Sequence, residues 1–203
     1  MMKKSKRSDV DPFIVMDVME SARIAEEKGK DIIHMEVGQP GTPAPKIAKD
    51  YITNEINKNN LGYTVSLGLP ALRTKISKLY GDWYNLDLNP NRIVVTTGSS
   101  GAFILSFSAL FDSGDRVGIG SPSYPSYRQI LKSLSLETVD IQTKLQNRFQ
   151  PVPEDITNNN LNGILVASPA NPTGSMLDKQ SLENLINTAN ENNVSFISDE
   201  IYH

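Results

Sequence analysis

The sequence contains no cysteine. This absence excludes disulfide bonds, thiolate metal sites and thiol nucleophiles, and it suits a reducing cytoplasm. No apolar run approaches the roughly 18 residues that a membrane-spanning helix needs, so no membrane span is predicted. The net charge is −3, which gives the chain no overall attraction for nucleic acid or for an anionic membrane.

The composition is that of a globular protein. Hydrophobic residues make up 38% and charged residues 21% of the 203 residues, which suffices for one substantial domain or for a domain with an arm. The first residues, Met1–Arg7, are basic. We expect a solvated, disordered tail there rather than an arm that binds nucleic acid.

The first part of the chain is predicted to be mainly helical. Residues 12–28 carry apolar side chains at helical spacing, and further helices are predicted from Pro45 and from Pro70, since proline suits the first turn of a helix. Ile32–Val37 alternates like a short strand. His34, within that segment, is expected to have a hydrogen-bond partner rather than a catalytic role.

Strand and helix patterns alternate from residue 92 onward. Strands are predicted at Arg92–Thr97, Arg116–Gly120, Thr138–Ile141, Ile164–Ala167 and Val194–Ser198. Helices are predicted at Ala102–Phe111, Tyr124–Leu134 and Asp178–Glu191. This alternation predicts an α/β fold, in which a mostly parallel sheet is flanked by helices on both faces. The polar residues 142–162 are expected to form a surface connection.

Two motifs directly follow two of these strands. Asn171 lies in Ala170–Gly174, after Ile164–Ala167, and Asp199 with Tyr202 follows the next strand along the chain. Ligands of α/β proteins collect outside the carboxyl ends of the strands. A buried carboxylate is costly unless a cation or several donors meet it, and a protonated ring nitrogen would be such a cation. The alternatives are a simple Asn-Pro turn for Asn171 and a helix N-cap for Asp199.

Two further turns carry groups that could bind a ligand. Gly98–Gly101 lies between a predicted strand and a predicted helix, where backbone N–H groups, the helix dipole and the hydroxyls of Ser99 and Ser100 could hold a phosphate. Tyr124 lies in a loop with two prolines, which stiffen it, so its ring could stack on a planar ligand. The alternatives are a small-residue turn that permits close packing and ordinary packing of Tyr124.

Taken together, these motifs resemble those of the class I/II, fold-type I aminotransferases, which depend on pyridoxal phosphate. The resemblance covers roughly residues 12–203, and its most specific matches are Ala170–Gly174, Ser198–Tyr202 and Tyr63–Arg73. It implies a fold-type I large domain with a mostly parallel sheet. It also implies a pyridoxal 5'-phosphate cofactor and the transfer of an amino group from an amino acid to a 2-oxo acid.

The resemblance further implies a domain organisation. Residues 1–11 would be the disordered basic tail, 12–44 an N-terminal arm or small-domain segment, and 45–203 an incomplete large domain that binds the cofactor. In the family, the two strands after the Asp199 strand lie between the strand at Arg92–Thr97 and the strand at Ile164–Ala167. A gap in the sheet, with unpaired edges and exposed apolar surface, is therefore expected here.

The resemblance also assigns roles to individual side chains. The implied cofactor-binding residues are Ser99, Ser100, Tyr124, Asn171, Asp199, Tyr202 and Tyr63. Asp199 should pair with the pyridine nitrogen, because an ionised carboxylate favours the protonated ring, which is the better electron sink. Asn171 and Tyr202 should bind the phenolic oxygen of the ring. Tyr63 should reach the phosphate of the partner subunit's cofactor, which implies a homodimer, and Gly38 should lie against the substrate.

One essential residue of the family has no match in this sequence. The lysine that binds the cofactor as a Schiff base, and then acts as general base, follows the Asp199 motif in the family. Lys78 and Lys179 lie on predicted helices among solvated positions, and Lys144 lies in the polar connection. We therefore assign no catalytic residue, and we expect the chain to be a fragment of a longer enzyme that is inactive alone.

Other functions share these motifs. A β-lyase or a cyclopropane-carboxylate synthase would use the same cofactor for a different reaction, and only transamination needs a 2-oxo acid acceptor. A protein that binds pyridoxal phosphate without catalysis is a further alternative, although the intact Asn171, Asp199 and Tyr202 argue against a degenerate site. The sequence does not indicate which amino acid is the substrate.

Overall fold

The computed structural model describes residues 3–203, and the chain divides into two compact units. One unit contains the described residues up to Phe13 together with Thr97–His203, and the other is Ile14–Thr96. Residues 1 and 2 of the predicted tail lie outside the described range. In the rest of that tail, Arg7 donates a hydrogen bond from Nε to the Ser135 hydroxyl at 3.1 Å. The domain boundaries implied by the resemblance stay predictions.

The first unit is built on a four-stranded sheet. In chain order the strands are β1 (Arg116–Ser121), β2 (Glu137–Gln142), β3 (Gly163–Ala167) and β4 (Ser195–Asp199). Their order in space is β2-β1-β3-β4, and all neighbouring strands run parallel. The predicted α/β class with a mostly parallel sheet is therefore confirmed, and these strands lie close to their predicted bounds.

Helices cover both faces of this sheet. They are α4 (Gly98–Leu110), α5 (Pro125–Ser133), α6 (Pro153–Asn158) and α7 (Lys179–Glu191). Along β3, Leu165 packs in a buried cluster with residues of α4 and α5, whereas Ile164 and Val166 pack with residues of α6 and α7. Since successive strand residues point to opposite faces, α4 and α5 lie on one face and α6 and α7 on the other.

The second unit contains the helices α1 (Ile14–Glu27), α2 (Lys46–Ile56) and α3 (Pro70–Tyr84). Helices near these bounds were predicted, and Pro70 is the first residue of α3, where its missing N–H costs nothing. The buried Arg73 donates hydrogen bonds to the carbonyl oxygens of Gly68 at 3.2 Å and Pro90 at 2.9 Å. Within residues 3–203, none of the helices is both long and apolar enough to traverse a lipid bilayer.

Two predicted strands are wrong. Ile32–Val37 and Arg92–Thr97 contain no strand in the structure, and Arg92 instead ends the 3-10 helix Pro90–Arg92. A strand needs a neighbour that accepts and donates a whole ladder of hydrogen bonds. Val95 donates one backbone hydrogen bond to Leu67, at 3.0 Å, and a single bond does not make a ladder.

Two further expectations about the sheet and its connections need correction. Strand β3 lies between β1 and β4, so the expected gap beside Ile164–Ala167 is wrong, because both neighbouring places of that strand are filled. The open edges of the described sheet are β2 and β4. Residues 142–162 are also more than a surface connection, since they contain α6, whose Ile156 side chain is buried.

Candidate functional site

The predicted site residues that follow strands lie at one edge of the sheet. Strand β1 ends at Ser121, and Ala167 of β3 is in register with Asp199 of β4. Because all these strands are parallel, the loops that leave them emerge at the same edge. The loops after β1, β3 and β4 carry Tyr124, Asn171 and Tyr202 respectively. The fold therefore brings an aromatic ring, an amide, a carboxylate and a phenol to this edge.

Asp199 is the last residue of β4, and only 8% of its surface is exposed. Its Oδ2 accepts a hydrogen bond from the Tyr127 hydroxyl, and its Oδ1 accepts one from the backbone N–H of Ile201 at 3.1 Å. None of the ion pairs that lysine and arginine form within residues 3–203 involves Asp199. The buried carboxylate thus accepts hydrogen bonds from two neutral donors.

Tyr127 is a site residue that the sequence analysis missed. It lies on α5 and is 2% exposed. Burial raises the pKa of the Tyr127 phenol, and the hydrogen bond to Asp199 and the negative charge of that carboxylate raise it further. The phenol is therefore a neutral donor at physiological pH. One signal could have found it, since a tyrosine three positions after Tyr124 in a predicted helix lies on the same face.

Tyr124 lies immediately before α5, and Pro125 opens that helix. The Tyr124 ring meets the Tyr127 ring at a centroid distance of 5.5 Å and an angle of 78°, and it meets Phe13 at 6.0 Å and 87°. Such edge-to-face contacts favour one ring orientation over others. Tyr124 is thus fixed by its aromatic neighbours, and its stacking on a ligand stays a prediction.

Asn171 and Tyr202 come from different loops and contact each other. The Asn171 side-chain amide donates a hydrogen bond to the Tyr202 hydroxyl at 3.2 Å. The Asn171 loop is closed by hydrogen bonds from Gly174 N–H to Ala170 O at 2.7 Å and from Ala170 N–H to Ser175 O at 2.9 Å. The two groups predicted to bind the same ligand oxygen therefore lie within hydrogen-bonding distance of each other.

Ser99 and Ser100 belong to the first turn of α4. The sequence analysis placed the helix start at Ala102, but the helix begins at Gly98, and Thr97 provides no side-chain cap. Backbone N–H groups in a first helical turn have no partner within their own helix, and the helix dipole is positive there. Phe103, one turn later, packs against Tyr127 at a centroid distance of 5.2 Å. This contact packs α4 against Tyr127, whose ring also contacts Tyr124.

Ser123 carries an unsatisfied hydroxyl beside Tyr124. Its Oγ is buried and has no hydrogen-bond partner within the described chain. A cavity of about 20 Å³ is lined by Ser123, Tyr127, Gln150 and Asn171 among others. An unpaired buried hydroxyl is costly, and a cavity of this size can hold one small polar group such as water. The Ser123 hydroxyl can therefore form a hydrogen bond with a group that enters this cavity.

Gln150 is a second residue that the sequence analysis missed. It is buried, and its side-chain amide donates hydrogen bonds to the carbonyl oxygens of Ala167 and Ser175, each at 3.1 Å. These bonds connect the carboxyl end of β3 to the far end of the Asn171 loop. Nothing in the pattern of the polar connection around Gln150 indicates this role.

The remaining predicted site residues, Gly38 and Tyr63, belong to the second compact unit. Both are exposed, and the Tyr63 ring is free of the packing that holds Tyr124. His34, near Gly38, has its Nδ1 at 2.7 Å from Glu36 and its Nε2 at 2.8 Å from Glu26. Hydrogen bonds to Glu36 and then to Glu26 raise the pKa of His34 to about 9.

Comparison with known proteins gives one consistent result. The model of the family described as aminotransferase class I and II matches residues 30–203. Valine–pyruvate aminotransferase of Mycobacterium tuberculosis is 41% identical over 199 residues, which cover 97% of this chain and 51% of that protein. Aspartate aminotransferase of Thermotoga maritima is 34% identical over 192 residues, covering 92% of this chain and 50% of the relative.

Solved structures are similar over nearly the whole chain. An aminotransferase from Mycobacterium tuberculosis superimposes with a TM-score of 0.93 at 39% identity, over 98% of this chain and 52% of that one. A protein from Silicibacter pomeroyi superimposes with a TM-score of 0.87 at 58% identity, over 98% and 51% of the two chains. The chain spans about half the length of the curated relatives it matches.

Proposed function

Because this chain belongs to the aminotransferase class I and II family, we propose that it forms the part of an aminotransferase that binds pyridoxal 5'-phosphate. The proposed activity of the whole protein is the transfer of an amino group from an amino acid to a 2-oxo acid. Relatives named for valine with pyruvate, for alanine and for aspartate support this substrate class. Bound pyridoxal phosphate would supply an electron sink for the amino acid.

The observation that carries the proposal is the environment of Asp199. A carboxylate that is 8% exposed and hydrogen-bonded to Tyr127 and the Ile201 N–H has lost most of its hydration, and no lysine or arginine within residues 3–203 pairs with it. Such a group gains free energy when a cation reaches it. A protonated pyridine nitrogen fits, because it donates one charge-assisted hydrogen bond and adds the missing positive charge.

The neighbouring groups suit the other parts of the same molecule. Asn171 and Tyr202, already in contact at 3.2 Å, offer an amide N–H and a phenol to an oxygen substituent on the ring. The first turn of α4 offers the N–H groups and hydroxyls of Ser99 and Ser100 to a phosphate, which is the usual ligand of a helix start. Tyr124, fixed by its aromatic neighbours, would lie against the ring face.

The two predicted site residues of the second unit have proposed roles of their own. We propose that Tyr63 reaches the phosphate of the cofactor held by a partner subunit, so that the whole enzyme is a homodimer, and that Gly38 lies against the substrate. A contact with a partner subunit requires that Tyr63 is exposed in the single chain, and its side chain is fully exposed. A cytoplasmic location and a biosynthetic role are part of the proposal, and the cysteine-free sequence supports the location.

The role of Asp199 can be tested with pyridoxamine 5'-phosphate that carries ¹⁵N in the ring. This probe needs no lysine, and its ring-nitrogen resonance reports whether the nitrogen is protonated. We expect the chain to bind it with the nitrogen protonated over a wider pH range than in the free molecule. The Asp199→Asn variant should lose this protonation and bind about tenfold more weakly, since a charge-assisted hydrogen bond is removed.

Asp178→Asn is the matched control. Asp178 caps α7 from an exposed position, and asparagine caps helices about as well as aspartate does. The Asp178→Asn variant should therefore bind the probe as tightly as the unmodified chain does. If the ring nitrogen of the bound probe is unprotonated, or if Asp199→Asn binds it like the control, the proposed pairing is wrong. Failure of the unmodified chain to bind the probe at all would reject the proposed cofactor site.

A further inference from the structure

We infer that Tyr127 is a positioning residue of the site, which holds the Asp199 carboxylate and the Tyr124 ring in a fixed mutual arrangement. This inference rests on the proposed function and adds a residue to which the family resemblance gave no role. It depends on a hydrogen bond, on two ring contacts and on the burial of both ends of the hydrogen bond.

The hydrogen bond joins two distant parts of the fold. Tyr127 lies on α5, which leaves β1, whereas Asp199 ends β4 at the opposite side of β3. The residues are 72 positions apart in sequence. With exposures of 2% and 8%, they leave little access for water to replace the bond. The orientation of the Asp199 carboxylate therefore depends on a donor supplied from another helix.

Each carboxylate oxygen of Asp199 has one donor. Oδ2 accepts from the Tyr127 hydroxyl and Oδ1 from the Ile201 N–H. The Ile201 donor comes from the same loop and moves with Asp199, so it cannot fix the carboxylate relative to the rest of the site. Tyr127 can, because its ring is anchored independently by contacts with the rings of Phe103 and Tyr124.

The Tyr127 ring contacts aromatic neighbours on two sides. It meets Phe103 edge-to-face at 5.2 Å and Tyr124 at 5.5 Å. The same side chain therefore touches the helix whose first turn is the proposed phosphate site, the proposed stacking ring and the proposed partner of the ring nitrogen. A phenylalanine would satisfy the ring contacts alone. The hydroxyl would be costly in this buried cluster without Asp199 as acceptor.

A double-mutant cycle separates positioning from packing. Binding of pyridoxamine 5'-phosphate is measured for the unmodified chain, Tyr127→Phe, Asp199→Ala and the double variant. If Tyr127 acts through Asp199, Tyr127→Phe weakens binding about tenfold when Asp199 is present and has no effect when residue 199 is alanine. An equal effect in both backgrounds would mean that Tyr127 only packs, and no effect in either would also overturn the inference.

A second ligand gives an independent reading. The analogue of pyridoxamine 5'-phosphate that has carbon in place of the ring nitrogen cannot pair with Asp199. We expect Tyr127→Phe to leave binding of this analogue unchanged while it weakens binding of the parent molecule. A general distortion of the site would weaken both. Tyr80→Phe, which removes a hydroxyl in the other unit, serves as the matched control and should change neither.

Two safeguards keep the outcome clear. Far-UV circular dichroism and the melting temperature show whether each variant is folded. As a further replacement, 3-fluorotyrosine at position 127 keeps the ring contacts and makes the phenol a stronger hydrogen-bond donor. That replacement should shift the ¹⁵N resonance of the bound ring, and an unshifted resonance would contradict positioning. If the unmodified chain binds the probe with a protonated nitrogen but the Tyr127 variants behave like the control, the inference fails and the proposed function stands.

Discussion

At the scale of single residues, the site depends on how one buried charge is stabilised. Desolvating the Asp199 carboxylate costs several kcal/mol unless partners compensate, and its partners here are the neutral Tyr127 hydroxyl and the Ile201 N–H. The interaction is reciprocal. Burial raises the pKa of the Tyr127 phenol above its ordinary value of 10.0, and the hydrogen bond to the Asp199 carboxylate raises it further.

Replacing Asp199 by asparagine should therefore change the ionisation of Tyr127. The pKa of the phenol should fall toward its ordinary value, because the charged acceptor is gone, but it should stay raised because burial is the largest cause. A pH titration of tyrosine labelled with ¹³C at the carbon bearing the hydroxyl measures this without any cofactor. An Asp199→Asn variant in which the Tyr127 titration is unmoved would show that the carboxylate does not control the phenol.

His34 offers a second titration, far from the sheet edge. Its pKa is raised from 6.5 to about 9 by Glu36 and then Glu26, so the pairing stabilises the fold fully below pH 6.5 and is lost as the pH rises through about 9. The His34 ring resonances should titrate near the higher value. Glu36→Gln should lower that midpoint more than Glu26→Gln does. A midpoint near 6.5 in the unmodified chain would contradict the paired geometry.

Sequence reasoning predicted which candidate residues the strands bring to the sheet edge, and it missed the residues that reach this edge through distant contacts. Asp199 and Asn171 each follow an apolar run, so the rule that ligands collect at the carboxyl ends of parallel strands predicts them. Tyr127 and Gln150 act through partners that lie 72 and 17 to 25 positions away. No local pattern encodes these partners, because they meet only once the sheet has formed.

At the scale of elements, the same distinction explains which strands were predicted correctly. Strands β1 to β4 are continuous or alternating apolar runs, each paired with at least one other strand, and a sheet covered by helices gives its strands a pattern that can be read locally. Ile32–Val37 and Arg92–Thr97 have comparable patterns, but a strand also needs a partner. These two segments form no strand because no neighbouring segment pairs with them, and not because of their own side chains.

The turn before α3 provides a prediction at this scale. Gly68 has φ of +94°, and an added Cβ would lie 2.6 Å from the Val95 side chain. Gly29 has a similar φ of +79° but nothing within 4 Å of an added Cβ. Gly29→Ala should destabilise the chain by about 1 kcal/mol through backbone strain alone, and Gly68→Ala by about 2 to 4 kcal/mol, since overpacking adds to the strain.

Urea unfolding followed by circular dichroism measures both glycine variants. The comparison matters more than either value, because the two alanines share the backbone cost and differ only in the Val95 contact. Equal losses of unfolding free energy would mean that Val95 moves aside freely and that the turn is not closely packed against it. A larger loss for Gly68→Ala would support a close approach of this turn, whose Gly68 carbonyl accepts a hydrogen bond from Arg73, to the Val95 side chain.

At the scale of the whole molecule, family membership and the α/β fold predicted from the sequence are both confirmed, while the chain spans about half the length of its curated relatives. Much apolar surface is exposed in the second unit. On α2, Ile47 is 81% and Tyr51 67% exposed, one turn apart on the same face of the helix. Exposed apolar patches of this kind mark surfaces that bind other protein segments.

We therefore predict that the isolated chain associates with itself through apolar surface that includes this face of α2. Sedimentation velocity over a concentration series should show species heavier than the 22.4 kDa monomer. Ile47→Glu combined with Tyr51→Glu should shift the chain toward monomer, because each change places a charge on a surface that must be desolvated on association. Lys49→Glu, on the same helix, alters charge without removing an apolar side chain and should leave association nearly unchanged. A chain that is monomeric at every concentration would mean that this surface needs no covering, and equal effects of the two variants would assign association to charge rather than to apolar contact.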